Sequence, residues 1–223
     1  MDTRHEPFPA SVEADNAARP SFAREYWDSR YSESDRMWSG KPNAALVEEV
    51  AGLTPGSALD LGCGEGGDAI WLARQGWRVT AVDVSGVALR RAAAHAEDAK
   101  VAGRITFERH DFTESFPAGT YDLVSAAFLH AHTGLPREEV LRAASAAVAP
   151  GGVLLVLSHS GEGHWEGEHV VLPTPEETLA ALQLADNGWE VLVCGEHVAH
   201  QVLPDGGHGP RSNNTVKVRR VSP

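Results

Sequence analysis

The sequence predicts an α/β fold: a doubly wound, seven-stranded, mostly parallel sheet with helices on both faces and a C-terminal antiparallel hairpin. Three observations lead there. From residue 57 onward, short apolar runs alternate with amphipathic stretches, the pattern of strands covered on both faces. The first of these runs ends in a glycine-rich turn that opens a helix. The last two runs follow one another with no helical stretch between them, which suits antiparallel neighbours at a sheet edge.

The elements follow in order. Residues 1–20 are polar, carry Pro7, Pro9 and Pro20, and have no periodicity; a flexible tail is expected. Residues 21–56 read as a helical arm or lid. Its first helix spans 22–31 with Phe22, Tyr26 and Trp27 on one side, and a turn covers 37–42. A second helix, 43–51, takes Asn43 as its N-cap. Residues 57–223 form the main domain. Strands are expected at 57–61, 78–82, 105–109, 121–128 and 153–157, the last after the Pro150-Gly151-Gly152 turn. Helices are expected from the glycine turn to Gln75, and over 85–101, 137–147 and 175–184. Residues 158–173 lack a period and have the length of a lid or binding loop. Strands 189–198 and 214–219, joined by a turn around 204–207, complete the hairpin.

Composition bounds the function. The chain has 223 residues, enough for one domain and a short arm, and its 42% hydrophobic content rules out wholesale disorder. Thirty-one acidic against 19 basic residues leave a net charge of −12, which disfavours nucleic acid as a partner. No apolar stretch approaches the ~18 residues of a membrane span, and the first 21 residues show no secretory apolar segment. Two cysteines, Cys63 and Cys194, give neither a disulfide framework nor a zinc-binding spacing, so a cytoplasmic location is expected. A monomer or homodimer is expected.

The strongest local signal is Asp60-Leu61-Gly62-Cys63-Gly64-Glu65-Gly66, between a buried strand and a helix. Glycines permit positive φ and close backbone approach to a ligand, and the free N–H groups of a helix start lie beside it. The next strand ends in Asp83, a carboxylate suited to both hydroxyls of a ribose. The order of strand, turn, helix, strand and Asp points to an adenosine-type cofactor. A dinucleotide domain would have Gly-X-Gly-X-X-Gly, whereas here the third glycine comes one residue early. A carboxylate at Asp60 would repel a pyrophosphate and suit a positively charged group such as a methionine ammonium.

With Asp83, this segment resembles motifs I and II of the class I S-adenosylmethionine-dependent methyltransferases, which have a Rossmann-like fold. The resemblance covers residues 57–220. His110-Asp111-Phe112, Tyr121-Asp122-Leu123-Val124 and Ala149-Pro150-Gly151-Gly152 match further parts of the pattern. It implies that Asp111 meets the adenine amine and Phe112 the ring, and that Gly62, Cys63, Gly64, Gly66, Val84, Ala126 and Phe128 line the cofactor crevice. Upstream, Tyr26-Trp27-Asp28-X-X-Tyr31 and Trp38-Ser39-Gly40-Lys41-Pro42-Asn43 resemble the N-terminal arm of the thiopurine- and tellurite-type branch. There the arm folds over the cofactor and shapes a pocket for small, soft acceptors. The implied activity is methyl transfer from S-adenosylmethionine to a small-molecule S, O or N nucleophile. Competing readings are a protein, peptide or tailored natural-product acceptor, a non-catalytic cofactor-binding or partner module, and an NAD-dependent dehydrogenase.

A thiolate acceptor needs no base, whereas a hydroxyl or amine does. The candidates are His130 and His132 after the fourth strand, at the edge where such sheets bind ligands. They serve as bases, as pocket lining or as structural caps. With His159, His164 or His169 they also make a three-His set, but no cysteine or carboxylate spacing supports a metal, and none is expected. Trp38, in a turn, is the aromatic candidate for the cofactor pocket. Trp27 reads as arm packing, and Trp71, Trp77 and Trp189 as core. Cys63 lies at a helix start, a place that can lower a thiol pKa, but its position matches the resembled family's cofactor loop and it is not read as a nucleophile.

Overall fold

The computed structural model describes residues 21–130, 134–165, 168–202 and 208–222. The expected tail, His132 and the turn around 204–207 lie outside them. Strands β1 (Ser57–Leu61), β2 (Arg78–Asp83), β3 (Ile105–Arg109), β4 (Tyr121–Ala127), β5 (Val148–His159), β8 (Trp189–Val202) and β9 (His208–Arg220) build one seven-stranded sheet. Its order is β3-β2-β1-β4-β5-β9-β8, parallel through β5, with β9 antiparallel to β5 and β8. The fold class is as the sequence predicts.

Alternation along the strands sends successive side chains to opposite faces. Ala58, Val79, Ala81, Leu123 and Val153 pack on one face with Leu46, Leu72 and Ala96. These come from helices α2 (Ala44–Val50), α3 (Gly67–Arg74) and α4 (Gly86–Asp98). Leu59, Leu61, Val124 and Val156 pack on the other with Leu141 and Ala144 of helix α5 (Arg137–Ala146), and with Leu182 just after α6 (Pro175–Ala181). The chain reverses its winding between β1 and β4, so the crevice at their carboxyl ends is where a doubly wound sheet takes a ligand.

Several boundaries differ from expectation. β4 stops at Ala127 because Phe128 has φ +56°, outside extended space. β5 begins at Val148: the pairing shifts register between Tyr121↔Val148 and Leu123↔Val153, so Pro150-Gly151-Gly152 is absorbed as a bulge within the strand. The stretch 158–173 is not irregular throughout. Strands β6 (Glu162–Trp165) and β7 (Glu168–Val171) form a separate antiparallel ribbon, too short and mixed in polarity to show a period. The first arm helix, α1 (Phe22–Ser32), buries Tyr31, while Phe22 is 69% exposed. Among the described residues, no helix is long and apolar enough to cross a membrane.

Candidate functional site

β1 carries Asp60 to its carboxyl end and the chain turns through three glycines with φ of +71°, +52° and +85° at Gly62, Gly64 and Gly66. Only glycine adopts such values without strain. The N–H groups of Gly62 and Cys63 both donate to Val82 O, at 2.8 and 2.9 Å, tying the turn to β2. Asp83, at the end of β2, accepts from Gly64 N at 2.9 Å and from Ser85 N at 2.8 Å. The predicted ribose carboxylate is thus fixed in orientation beside the turn.

Asp60 is 2% exposed. Its Oδ1 accepts from Ser125 Oγ at 3.0 Å, directly across the β1–β4 ladder. Its Oδ2 is buried and has no hydrogen-bond partner. Burial, then the neighbouring Asp68 carboxylate, pushes the Asp60 pKa well above the usual carboxylate range. Burial also raises Asp68 and Asp83. An acidic, desolvated crevice with an orphaned oxygen is chemically a receptor for a cation. Burial, then Asp83 and Asp60, raises the Cys63 thiol pKa, so the acidic crevice outweighs the helix start.

The arm packs directly on this turn. A Cβ on Gly64 would lie 2.9 Å from the Tyr31 hydroxyl and 3.4 Å from the Trp38 indole, and one on Gly67 would lie 2.9 Å from Lys41 O. These glycines make room for the arm. Trp38 Nε1 donates to Tyr31 Oη at 3.0 Å. Glu65, in the turn itself, accepts from Met37 N at 3.1 Å, Trp38 N at 3.0 Å and Arg91 at 3.0 Å. Although burial opposes ionisation there, those donors hold the Glu65 pKa below its ordinary value. Asn43 occupies the N-cap position of α2 but makes no side-chain cap bond; it binds Asp68 through its backbone N at 2.7 Å and its side-chain amide at 2.6 Å.

Farther along, Asp28 of α1 accepts from Ser85 Oγ at 2.6 Å and Val87 N at 3.1 Å, and pairs with Arg109 at 2.9 Å. Asp111, the predicted adenine partner, accepts from Ser21 Oγ and from Thr113 N and Oγ1. Burial opposes its ionisation, but these bonds prevail and lower its pKa. Phe112 packs against Phe116 with ring centroids 5.7 Å apart. Val84 follows Asp83, and its carbonyl accepts from Arg109 at 2.8 Å. Ala126 is buried in β4 opposite Leu61.

At the end of β4, Leu129 reaches within 3.1 Å of where a Gly62 Cβ would stand. His130 stacks on His159 of β5 with centroids 5.4 Å apart, and Phe128 lies 4.5 Å from His159. His159 Nδ1 is 2.9 Å from Asn213 Oδ1, across the β5–β9 ladder. Among the described residues, no three metal-binding side chains converge. Sequence reasoning named Asp28 and Tyr31 only as part of the arm pattern, without their contacts to the turn, and gave Glu65 and Asn213 no site role of their own. Glu65 had a signal, being a charged residue inside a glycine turn; Asn213 had none, since only strand pairing brings it to His159.

Comparison with known proteins agrees with this architecture. Residues 58–152 match a family described as a methyltransferase domain. A curated relative, the ubiquinone biosynthesis O-methyltransferase of Methylobacterium sp. (strain 4-46), is 32% identical over 160 residues, covering 71% of this chain and 61% of the relative. The first curated relatives are matched over 58–66% of their own length. Among solved structures, one from work on conversion of a disulfide bond into a thioacetal group during echinomycin biosynthesis superposes with TM-score 0.67 and 28% identity. It covers 89% of this chain and 93% of that one. Magnesium protoporphyrin IX methyltransferase from Synechocystis PCC 6803, solved with bound SAH, gives TM-score 0.63 at 19% identity over 88% and 97% of the two chains. At that identity the likeness is one of fold.

Proposed function

We propose that the protein transfers a methyl group from S-adenosylmethionine to a small-molecule S, O or N acceptor. The observation that carries this reading is the orphaned, buried Asp60 Oδ2 at the mouth of the glycine turn. A carboxylate there needs a cation, and the methionine ammonium is one; a pyrophosphate would be repelled. The residues present fit the rest of the cofactor. Each Asp83 oxygen accepts one backbone N–H and keeps a second lone pair for a ribose hydroxyl. Asp111, kept ionised, would accept from the adenine amine, and Val84 and Phe112 would hold the ring. The match of residues 58–152 to a methyltransferase domain supports the same conclusion.

Bound in this crevice, S-adenosylmethionine supplies a methyl group already activated on a sulfonium. What remains for the chain is to align and desolvate the acceptor. Residues 21–56 act as the lid, through Tyr31 and Trp38 over Gly64, and residues 57–223 as the cofactor-binding domain. For a hydroxyl or amine acceptor, His130 or His132 accepts the departing proton at an imidazole nitrogen; a thiolate acceptor leaves them as lining. We place the chain in the thiopurine- and tellurite-type branch, supported by the packing of arm residues 31–43 on the turn.

Titration calorimetry with S-adenosylhomocysteine tests the reading. Wild type is expected to bind it, and Asp60→Asn to bind it at least tenfold more weakly. Binding of NAD in its place would overturn the assignment.

A further inference from the structure

We propose that the protein carries a second ligand site, for a small aromatic carboxylate, at the end of the sheet opposite the crevice. A cavity of about 260 Å³ lies there, where helix α5 ends, β8 begins and β9 ends. Val148, the first residue of β5, marks the same end, so the full length of β5 separates the cavity from the His159 rim. Trp189, Leu184 and Ala185 supply apolar lining, and Arg220, Ser145 and Gln183 polar lining. Trp189 and Leu184 pack on the core cluster beneath, which holds the apolar lining in place.

Charge sets the ligand class. Trp189 and Arg220 stand directly opposite each other across the β8–β9 ladder, so both side chains lie on one face of the sheet. Arg220 Nη1 donates to Val148 O at 2.7 Å, which fixes the guanidinium at the cavity. A guanidinium offers further N–H donors in a planar fork, and among the described residues no carboxylate pairs with this one. Glu190, next to Trp189 in the chain, is taken by Arg219 at 3.2 Å. The carbonyl end of α6 has its own cation, Arg142 at 3.2 Å from Ala181 O, and makes no claim on Arg220. In a chain with 31 acidic residues against 19 basic ones, an arginine left without a carboxylate at a cavity is a receptor for an anion from outside.

Gln183 is the second observation. It follows the α6 C-cap Leu182 with φ +50°, where glycine is the usual residue and a longer side chain carries strain. What Gln adds at that cost is an amide on the cavity lining. Ser145 spends its hydroxyl proton on Arg142 O at 2.8 Å, so the side-chain donors left for a carboxylate are the Arg220 guanidinium and the Gln183 amide. The volume falls just below the roughly 300–1,000 Å³ of pockets for drug-sized ligands, which leaves room for one ring and a short acidic arm. The Trp189 indole rewards a flat ring, and the guanidinium selects the charge.

The probe is sodium phenylacetate, titrated by calorimetry at low salt beside phenylacetamide and sodium acetate, with S-adenosylhomocysteine titrated on the same samples. Wild type is expected to bind phenylacetate at least tenfold more tightly than either comparison compound. Arg220→Gln, which keeps a donor for Val148 O, is expected to bring phenylacetate and phenylacetamide within twofold of each other. Ala185→Phe, at an exposed position, is expected to fill the cavity and weaken phenylacetate at least tenfold. It carries the comparison if Arg220→Gln does not fold. Gln183→Gly, which suits the positive φ, is expected to melt at the same or a higher temperature yet bind phenylacetate more weakly. All three variants are expected to keep S-adenosylhomocysteine affinity within twofold, because the crevice lies at the other end of the sheet. No preference for phenylacetate in wild type, or a preference that survives Arg220→Gln and Ala185→Phe, overturns the site. Displacement of the probe by S-adenosylhomocysteine also overturns it, because the probe would then sit in the crevice. Selective phenylacetate binding without S-adenosylhomocysteine binding supports the site and sinks the methyl-transfer reading instead.

Discussion

Asp60 concentrates the chemistry of the site in one side chain. Its folded pKa is raised above the ordinary carboxylate value, so the native state holds its proton more tightly than the unfolded chain. That contribution to stability is fully present below about pH 4, the unfolded range, and is lost as pH rises through the raised folded value. Asp60→Asn removes the dependence. The variant should therefore melt higher than wild type at neutral pH, and the difference should shrink toward zero near pH 4; a constant difference would contradict the buried-anion account. Asp83 makes a separate prediction. Its bonds to Gly64 N and Ser85 N fix its orientation beside the turn; if it holds the ribose, as proposed, Asp83→Ala should weaken S-adenosylhomocysteine by about 1.5–3 kcal/mol in calorimetry. Both carboxylates were legible because each punctuates the end of an apolar strand. Tyr31 was not: nothing in its spacing tells that its hydroxyl reaches Gly64, thirty-three positions away.

At the scale of elements, the arm and the glycine turn form one unit. Gly64 has φ +52°, and an added Cβ would meet the Tyr31 hydroxyl at 2.9 Å. Gly64→Ala should destabilise the fold through both backbone strain and this clash, and Tyr31→Phe in the same chain should restore part of the loss. A double-mutant cycle by chemical denaturation would show coupling of about 0.5 kcal/mol or more; strict additivity would mean that the arm does not rest on the turn. Glu65 clamps the same pair of elements through Met37 N, Trp38 N and Arg91. Glu65→Ala should cost about 1.5–3 kcal/mol and speed tryptic cleavage after Arg36, with the sheet domain still resistant. Strands β1 to β4 were readable because burial on both faces leaves continuous apolar runs. The ribbon of β6 and β7 was not, since four-residue strands carrying Glu162, His164, Glu168 and His169 offer no apolar period. The bulge in β5 hid behind Pro150 and two glycines, which read equally well as a turn.

For the molecule as a whole, the sheet order places the acidic crevice at the β1–β4 reversal and draws β9 in beside β5, so that Asn213 stands opposite His159. The parallel half of that order followed from alternating strands and helices; the position of the hairpin, with β9 inside and β8 at the edge, depends on register that sequence alone does not carry. Ligand binding across the crevice must then stabilise the whole fold, because Asp60, Asp83 and Asp111 belong to three different strand ends, and the arm lies over them. A ligand that binds only the native state adds RT ln(1 + [L]/Kd), about 2.7 kcal/mol at a hundredfold excess over Kd. In a chain of this size each kcal/mol moves the melting temperature by roughly 2–4 °C. S-adenosylhomocysteine at that excess should therefore raise the transition by roughly 5–11 °C, with NAD leaving it in place. The increment should grow as pH rises from about 4 toward the raised Asp60 pKa, because pairing with the ligand ammonium requires that carboxyl to give up its proton. An increment independent of pH would separate cofactor binding from the buried carboxylate and remove the reason for assigning Asp60 to the ammonium.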